Sequence, residues 1–324
     1  MGSMTSPRVW VLADDRAGNV SQGLGVAEAL GWPFEVRTIA YDGLARLPNL
    51  LRGASLVGVT GASRSGLEAP WPDVVIAAGR RTAPIARWIK RQCGAFLVQI
   101  MDPGIPGRDQ FDLIVTPAHD RARLTSNMIE IMGAPHRVTA ARLAAEAEAW
   151  RPRFAHLPRP WVAVIVGGAT RKRPFPVEMA RDLGRKVGGL AAAAGGSVLL
   201  TTSRRTGAEQ GAALAECLPE PRWLHLFGQP GENPYFGFLA LADAVVVTGD
   251  SVSMACEACA SAAPVFLWAP PGWVVAKHAR LHAQLYLHGL AKPLDQVQSL
   301  AAWDRPRLDA AGEVAQAIHE RMGR

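Results

Sequence analysis

Apolar runs of strand length alternate with longer amphipathic stretches along the whole chain. Runs such as Val9–Ala13 and Trp161–Val166 are entirely apolar, which is typical of parallel strands buried on both faces. The predicted strands are Val9–Ala13, Glu35–Ala40, Val74–Ala78, Ala95–Ile100, Asp112–Thr116, Trp161–Val166, Ser197–Thr202, Trp223–Leu226, Asp243–Val247 and Pro264–Trp268. The predicted helices are Asn19–Leu30, Arg81–Gln92, Ala140–Trp150, Val177–Ala194, Gly207–Cys217, Phe236–Ala242, Ser253–Ala262, Val275–His288 and Leu308–Met322. This alternation predicts an α/β fold with parallel sheets that are covered by helices.

The β/α rhythm breaks at Arg151–Pro160, a segment with three prolines. Proline neither continues a helix nor joins a central strand, so we expect a linker here. It would separate two Rossmann-like, doubly wound domains, residues 1–152 and 153–324, which face each other across a cleft. The terminal helix can pack back on the first domain. Because doubly wound sheets bind ligands beyond the carboxyl ends of their strands, we expect the site in that cleft.

The segment Thr248–Met254 follows one of the buried strands and opens a helix. Asp250, Ser251 and Ser253 are all favoured helix N-cap residues. A helix start presents unpaired N–H groups and a partial positive charge, which suit a phosphate or diphosphate. Glu257 lies further along the helix, where its carboxylate can accept hydrogen bonds from sugar hydroxyls. An ordinary capped strand–turn–helix has the same pattern, so the segment alone leaves both interpretations open.

Other strand ends of the second domain carry similar groups. Two glycines and Thr170 follow one strand, a Ser-Arg-Arg triplet follows the next, and Asn233-Pro234-Tyr235 opens a later helix. Glycine lets the backbone approach a ligand closely, and arginine forks onto phosphate oxygens. Four such groups at one sheet edge predict a site for a nucleotide-diphosphate sugar. Its predicted residues are Gly168, Thr170, Ser203, Arg204, Arg205, Tyr235, Asp250, Ser251, Ser253, Met254 and Glu257.

Three strand-end residues of the first domain are candidate acids or bases for an acceptor hydroxyl. They are Asp15, Asp102 and His119. Helix capping for Asp15 and loop packing for His119 are the structural alternatives.

Composition narrows the classes of partner. Of the 324 residues, 49% are hydrophobic and 19% charged, as in ordinary globular proteins, and the formal net charge is +7. The basic residues are dispersed in short clusters such as Arg171-Lys172-Arg173, which argues against nucleic acid and favours phosphate-bearing ligands or an anionic membrane surface. Cys256 and Cys259 lack the partners of a zinc site, so we expect both thiols to pack in the core from one helix. No metal is predicted.

The chain contains no apolar run long enough to cross a membrane. Its start, Met1–Met4, lacks the charged-then-apolar pattern of a signal peptide. We therefore expect a cytoplasmic protein. A peripheral position at the inner face of the membrane is the alternative location. The sequence leaves the oligomeric state open.

The assembled pattern resembles the mitochondrial-fission ELM (elongated mitochondria) family and its bacterial, glycosyltransferase-like branch. The matching stretches run in order along nearly the whole chain: Asp15–Asn19 with Gln22, Gly79–Arg81, Gln99 with Asp102-Pro103, Pro117–Asp120, Gly133–Val138, Thr202–Thr206, Asn233–Tyr235, and Thr248–Met254 with Glu257-Ala258. Asn19 stands where the family often has histidine, so a base at that position is not expected in this chain. The resemblance implies a GT-B fold, in which the C-terminal domain holds the donor and the N-terminal domain the acceptor.

The expected function is transfer of a sugar from a nucleotide-diphosphate sugar to an envelope or lipid-linked acceptor. No metal or further cofactor is expected, because arginines and a helix start can stabilise the leaving diphosphate. Two alternatives stay open: a non-catalytic scaffold or regulator of membrane or division machinery, and an epimerase or hydrolase that acts on a nucleotide sugar.

Overall fold

Twelve strands form two parallel sheets in the computed structural model, which describes residues 6–323. The strands are β1 Val9–Ala13, β2 Phe34–Thr38, β3 Val74–Ala78, β4 Phe96–Ile100, β5 Leu113–Pro117, β6 Met128–Ile131, β7 Trp161–Val166, β8 Ser197–Thr202, β9 Arg222–His225, β10 Ala244–Thr248, β11 Val265–Trp268 and β12 Lys292–Pro293. The helices are α1 Ala17–Leu30, α2 Asn49–Arg52, α3 Gly61–Arg64, α4 Ala83–Cys93, α5 Ala140–Phe154, α6 Val177–Ala193, α7 Ala208–Glu216, α8 Tyr235–Leu241, α9 Val252–Ala260, α10 Ala276–Leu287 and α11 Ala310–Arg321. Every predicted strand is present within two residues at each end.

Both sheets are doubly wound. The first has the order β2-β1-β3-β4-β5-β6 and the second the order β12-β11-β10-β7-β8-β9. In each sheet the chain runs outward in one direction and then returns to build the other half. The direction reverses between β1 and β3 in the first sheet and between β7 and β10 in the second. A crevice opens at such a reversal, beyond the carboxyl ends of the strands.

Alternate side chains of the central strands enter separate cores on the two faces of the first sheet. Val9 and Val11 of β1 pack with α1, whereas Trp10 and Leu12 pack with α4 on the other face. Because both faces are buried, these strands are continuous apolar runs. The strands of the second sheet are buried in the same way, with Val162, Val164 and Val166 in one core.

The chain divides into two compact units by its contacts. Unit 1 contains the residues up to Arg137 and those from Asp309 onward, and unit 2 contains Val138–Leu308. The sequence had predicted the boundary at 152/153. Helix α11 belongs to unit 1, where Ala310, Val314 and Ile318 join the core beside α1.

The prediction that a linker starts at Arg151 is wrong. Helix α5 continues through Pro152 to Phe154, although proline was expected to end it. Phe154 is fully buried, stacks on Trp150 at 5.6 Å between ring centroids and meets Trp223 edge-on at 5.1 Å. This aromatic packing holds the last turn of α5 despite the N–H group that proline lacks.

Within residues 6–323, none of the helices has both the length and the apolar character needed to span a bilayer. The start of the chain at Met1–Met4, on which the prediction of no signal peptide rested, lies outside the described residues.

Candidate functional site

The carboxyl ends of β7 and β10 meet at the reversal point of the second sheet. The Gly167 amide donates to Thr248 Oγ1 at 2.8 Å, which ties the end of one strand to the other. A Cβ atom at Gly167 would lie 2.3 Å from a carboxylate oxygen of Asp250. Glycine is therefore required here so that the Asp250 carboxylate can pack against the β7 backbone.

Asp250 and Arg205 form an ion pair at this point. Arg205 Nη1 donates to Asp250 Oδ2 at 2.5 Å and to the Ala169 carbonyl at 3.2 Å. The Asp250 side chain is 3% exposed and that of Arg205 is 35% exposed. Two acceptors thus fix the guanidinium, which keeps further N–H donors for a ligand. Asp250 Oδ1 is buried and has no hydrogen-bond partner among the described residues.

The loop after β7 and the loop after β8 are interlocked through their backbones. The Ala169 amide donates to the Arg205 carbonyl at 2.9 Å, and the Arg205 amide donates to Ser203 Oγ at 3.1 Å. Ser203 Oγ in turn donates to the Gly167 carbonyl. Gly168 has a φ of +118°, and a Cβ atom there would lie 2.4 Å from the Arg205 carbonyl oxygen. These contacts set the position of the Arg205 guanidinium.

Helix α9 starts beside this ion pair. Ser251 is its N-cap and accepts a hydrogen bond from the Met254 amide at 3.4 Å. The amides of Val252 and Ser253 have no partner within the helix, because the first N–H groups of any α-helix lack one. They add to the partial positive charge at the helix start, next to Arg205.

Glu257 lies six residues after Ser251 along α9, which corresponds to a rise of about 9 Å. Tyr235 Oη donates a hydrogen bond to Glu257 Oε2. Burial raises the pKa of Glu257 above its ordinary value, while the Tyr235 hydrogen bond and the charge of Arg142 oppose that rise. Burial also raises the pKa of Tyr235, so its hydroxyl stays protonated and orients the Glu257 carboxyl group.

Two histidines of α10 complete the surroundings, and sequence reasoning missed both. His282 Nε2 lies 3.0 Å from the Gly249 carbonyl, and a Cβ atom at Gly249 would collide with its ring at 2.4 Å. A carbonyl only accepts, so Nε2 carries the proton. His278 interacts electrostatically with Asp250 and Arg205, and burial lowers its pKa. Their spacing of four places both on one helix face, a signal readable from the sequence.

The three acid/base candidates lie at separate strand ends of unit 1. Asp15, after β1, pairs with Arg81, while Asp102, after β4, accepts from Arg108 Nε at 3.1 Å. His119, after β5, is 1% exposed and its Nε2 is 3.9 Å from Asp120. The three residues follow three different strands, and their catalytic role stays a prediction. Asn19 donates to Asp14 at 3.2 Å.

The sequence model of the mitochondrial fission ELM1 family matches residues 17–322. The chain belongs to this family. It is 29% identical to the mitochondrial fission protein ELM1 of Arabidopsis thaliana over 296 residues, which cover 83% of this chain and 68% of the relative. It is 28% identical to an uncharacterized protein of Rickettsia prowazekii (strain Madrid E) over 347 residues, 96% of this chain and 97% of the relative.

A solved structure shares the fold of this ELM1-family chain. It is the UDP-GlcNAc 2-epimerase of Methanocaldococcus jannaschii in complex with UDP-GlcNAc and UDP, at 12% identity and a TM-score of 0.52, with 98% of this chain and 99% of that one covered. Together with the two doubly wound sheets, this likeness confirms the predicted GT-B-like fold of Rossmann-like domains.

The structure gathers most predicted donor-site residues of the ELM1-family chain into two groups. One surrounds the ion pair and contains Gly168, Ser203, Arg205, Asp250 and Ser251. The other contains Tyr235 and Glu257.

The remaining predicted residues lie beside these groups, and of them the Met254 amide donates to Ser251 Oγ. Thr170 forms an isolated bridge with Arg173, Arg204 is exposed, and Ser253 and Met254 are half-buried in the first turn of α9. Cys256 and Cys259 are buried in α9. In the described part of the chain, no three His, Cys, Asp or Glu side chains are grouped so that they could hold a metal ion.

Proposed function

We propose that this protein is a glycosyltransferase that takes its sugar from a nucleotide-diphosphate sugar bound at the carboxyl edge of the second sheet. The observation that carries the proposal is the Arg205 guanidinium, which Asp250 and the Ala169 carbonyl hold beside the start of α9. A fixed fork of donors next to a helix start suits the two phosphates of such a donor.

Charge develops on the diphosphate as the bond to the sugar breaks. Arg205 and the free amides of Val252 and Ser253 would stabilise that charge without moving, because the ion pair and the N-cap already fix them. His278, which interacts electrostatically with Asp250 and Arg205, adds a polar group near this ion pair. The proposed reaction therefore needs no group beyond this chain to hold the leaving nucleoside diphosphate.

Glu257 is the proposed hydrogen-bond acceptor for hydroxyl groups of the nucleotide sugar. Tyr235 holds one of its oxygens through the hydrogen bond at Oε2. A carboxyl group held in this way can accept hydrogen bonds from adjacent sugar or ribose hydroxyls in one orientation. Phe227, 61% exposed just after β9, offers an aromatic face to a nucleobase at the same sheet edge.

In the proposed transfer, an acceptor hydroxyl oxygen forms a bond to the anomeric carbon of the donor. The bond between that carbon and the diphosphate oxygen breaks, and the diphosphate leaves with the electron pair. The hydroxyl proton passes to a base, for which Asp15, Asp102 and His119 are the candidates.

Thermal-shift measurements with a panel of nucleoside diphosphates and nucleotide sugars test donor binding. A ligand at about 100 times its Kd should stabilise the folded chain by about 2.7 kcal/mol. We expect Arg205→Ala to abolish the shift, and Arg204→Ala, an exposed neighbour, to retain most of it. Absence of any shift across the panel would refute the proposal and favour a non-catalytic scaffold.

Glu257→Gln tests the hydroxyl contact. The amide oxygen can still accept from Tyr235, so we expect the unliganded melting temperature to stay within a few degrees. Nucleotide-sugar affinity should fall about tenfold or more, while free nucleoside diphosphate should lose less. NMR of the bound sugar without acceptor separates the remaining alternatives: an inverted ring carbon would indicate an epimerase, and free sugar a hydrolase.

A further inference from the structure

The reversal point of the first sheet carries a pocket that the donor site does not use. It has a volume of about 690 Å³, within the usual range for small-molecule sites. Loops after β1, β2 and β3 form its walls. The residues that decide its chemistry are Asp15, Arg16, Tyr41, Arg46, Arg80 and Arg81.

The lining of this pocket carries more positive than negative charge, with four arginines and two aspartates. Arg81 is engaged by Asp14 and Asp15 and stands 4.7 Å over the Tyr41 ring. Arg80 donates to the Leu47 carbonyl at 3.1 Å, which positions its side chain without neutralising it. Arg16 and Arg46 form no ion pair with any described residue.

The two acidic residues in the wall do not balance these cations. Asp15 is paired with Arg81, so one carboxylate in the wall, Asp42, which also accepts the Leu44 amide, stands against three remaining arginines. Arg16, Arg46 and Arg80 therefore repel one another in one concavity, and a bound anion would relieve that repulsion. Guanidinium groups bind phosphate oxygens with two parallel hydrogen bonds.

Two buried polar groups, one in the wall of the pocket and one beside Tyr41, lack hydrogen-bond partners among the described residues. The Tyr41 hydroxyl oxygen is buried and has no hydrogen-bond partner among the described residues. Arg52 is 2% exposed, its guanidinium stands 5.9 Å from the Tyr41 ring centroid, and its Nη2 is also without a partner in the described chain. A buried, unsatisfied donor is costly, so such groups indicate a ligand or solvent that the site accommodates.

We propose that this pocket binds the phosphate group of the acceptor, with Arg16, Arg46 and Arg80 as its contacts. The identification of the bound molecule as the acceptor rests on the proposed function, whereas the binding of a phosphate ester does not. Asp15 lines the same pocket, so an acceptor anchored by its phosphate has a candidate base beside it. The phosphate belongs either to a soluble phosphate ester or to a lipid headgroup, which share this chemistry.

Binding of two probes tests the proposal. Glycerol 3-phosphate, measured by calorimetry, represents a soluble ester, and phosphatidylcholine vesicles with and without phosphatidic acid, measured by sedimentation, represent a lipid. The test variant is the double substitution R16A/R46A, and both residues are exposed. Arg91→Ala is the matched control, because Arg91 is an exposed residue in the last turn of α4, at the opposite edge of the sheet.

We expect R16A/R46A to weaken binding of at least one probe by about tenfold or more, since each substitution removes a charge-assisted hydrogen bond to the phosphate. Arg91→Ala should stay within about twofold of the unsubstituted chain. Loss with glycerol 3-phosphate identifies a soluble ester, and loss confined to phosphatidic acid vesicles identifies a lipid.

The proposal is overturned if the unsubstituted chain binds neither probe, or if R16A/R46A binds both as well as Arg91→Ala does. Its fate is separable from that of the proposed function. R16A/R46A should retain the thermal shift with nucleoside diphosphate, which depends on Arg205 in unit 2. Loss of that shift in R16A/R46A would also count against a separate phosphate pocket.

Discussion

Replacement of Gly168 by alanine tests how firmly the backbone fixes the donor site. Gly168 has a φ of +118°, a conformation that costs a residue with a Cβ atom about 1–3 kcal/mol. The new Cβ would also lie 2.4 Å from the Arg205 carbonyl oxygen, and overpacking of this kind costs about 1–3 kcal/mol. The two terms together predict a loss of about 2–6 kcal/mol, a large part of the stability of a typical protein.

Two other glycines separate these terms. Gly228 has a φ of +88° but no atom within 4 Å of its would-be Cβ, so Gly228→Ala should show the backbone cost alone. Gly189 lies in the interior of α6 with open space around it, so Gly189→Ala should stabilise the protein by about 0.5–1 kcal/mol.

Urea unfolding followed by circular dichroism ranks the three variants, and nucleoside diphosphate titration reports the effect on the site. We expect Gly168→Ala to unfold at the lowest urea concentration and to lose ligand affinity, because relief of the clash moves the Arg205 backbone. Equal midpoints for Gly168→Ala and Gly228→Ala would refute the argument from the Arg205 carbonyl.

Two further predictions concern pH and the proline of α5. Burial lowers the pKa of His282 from its ordinary 6.5 to about 4, so the unfolded chain binds a proton that the folded chain does not. The corresponding stability, about 3 kcal/mol, is complete above pH 6.5 and is lost as the pH falls towards 4. His282→Gln should therefore lose less stability than the unsubstituted chain between pH 7.5 and 4.5, and parallel unfolding curves would contradict this. Pro152→Ala restores an N–H group in α5 at an exposed position and should raise the melting temperature, whereas a lower one would show that proline fits this turn without cost.

Strands buried on both faces could be predicted from the sequence because their burial makes them uninterrupted apolar runs. Strand β6 was missed because it is a short edge strand, and its Glu130 is exposed. Strand β12 has only two residues, too few for a pattern. Helix α5 exceeded its prediction because the burial of Phe154 is a tertiary effect that no local rule for proline contains.

The candidate site was predictable where its residues directly follow strands. The contacts between these residues could not be predicted, because the paired residues are far apart in the sequence. Arg205 and Asp250 are 45 residues apart, and Tyr235 and Glu257 are 22 apart. The pocket at the reversal point of the first sheet was missed for the same reason. Arg16, Arg46 and Arg80 are 30 and 34 residues apart along the chain, and only the reversal of strand order brings them to one place.

The return of α11 to unit 1 has a consequence for biosynthesis. Unit 2 is encoded entirely between the two parts of unit 1, so the ribosome completes it first. Ala310, Val314 and Ile318 cover an apolar surface of α1. That surface stays exposed while the whole of unit 2 is translated. The unit that is begun first is thus finished last, and during that interval it is the part of the nascent chain most in need of chaperone protection.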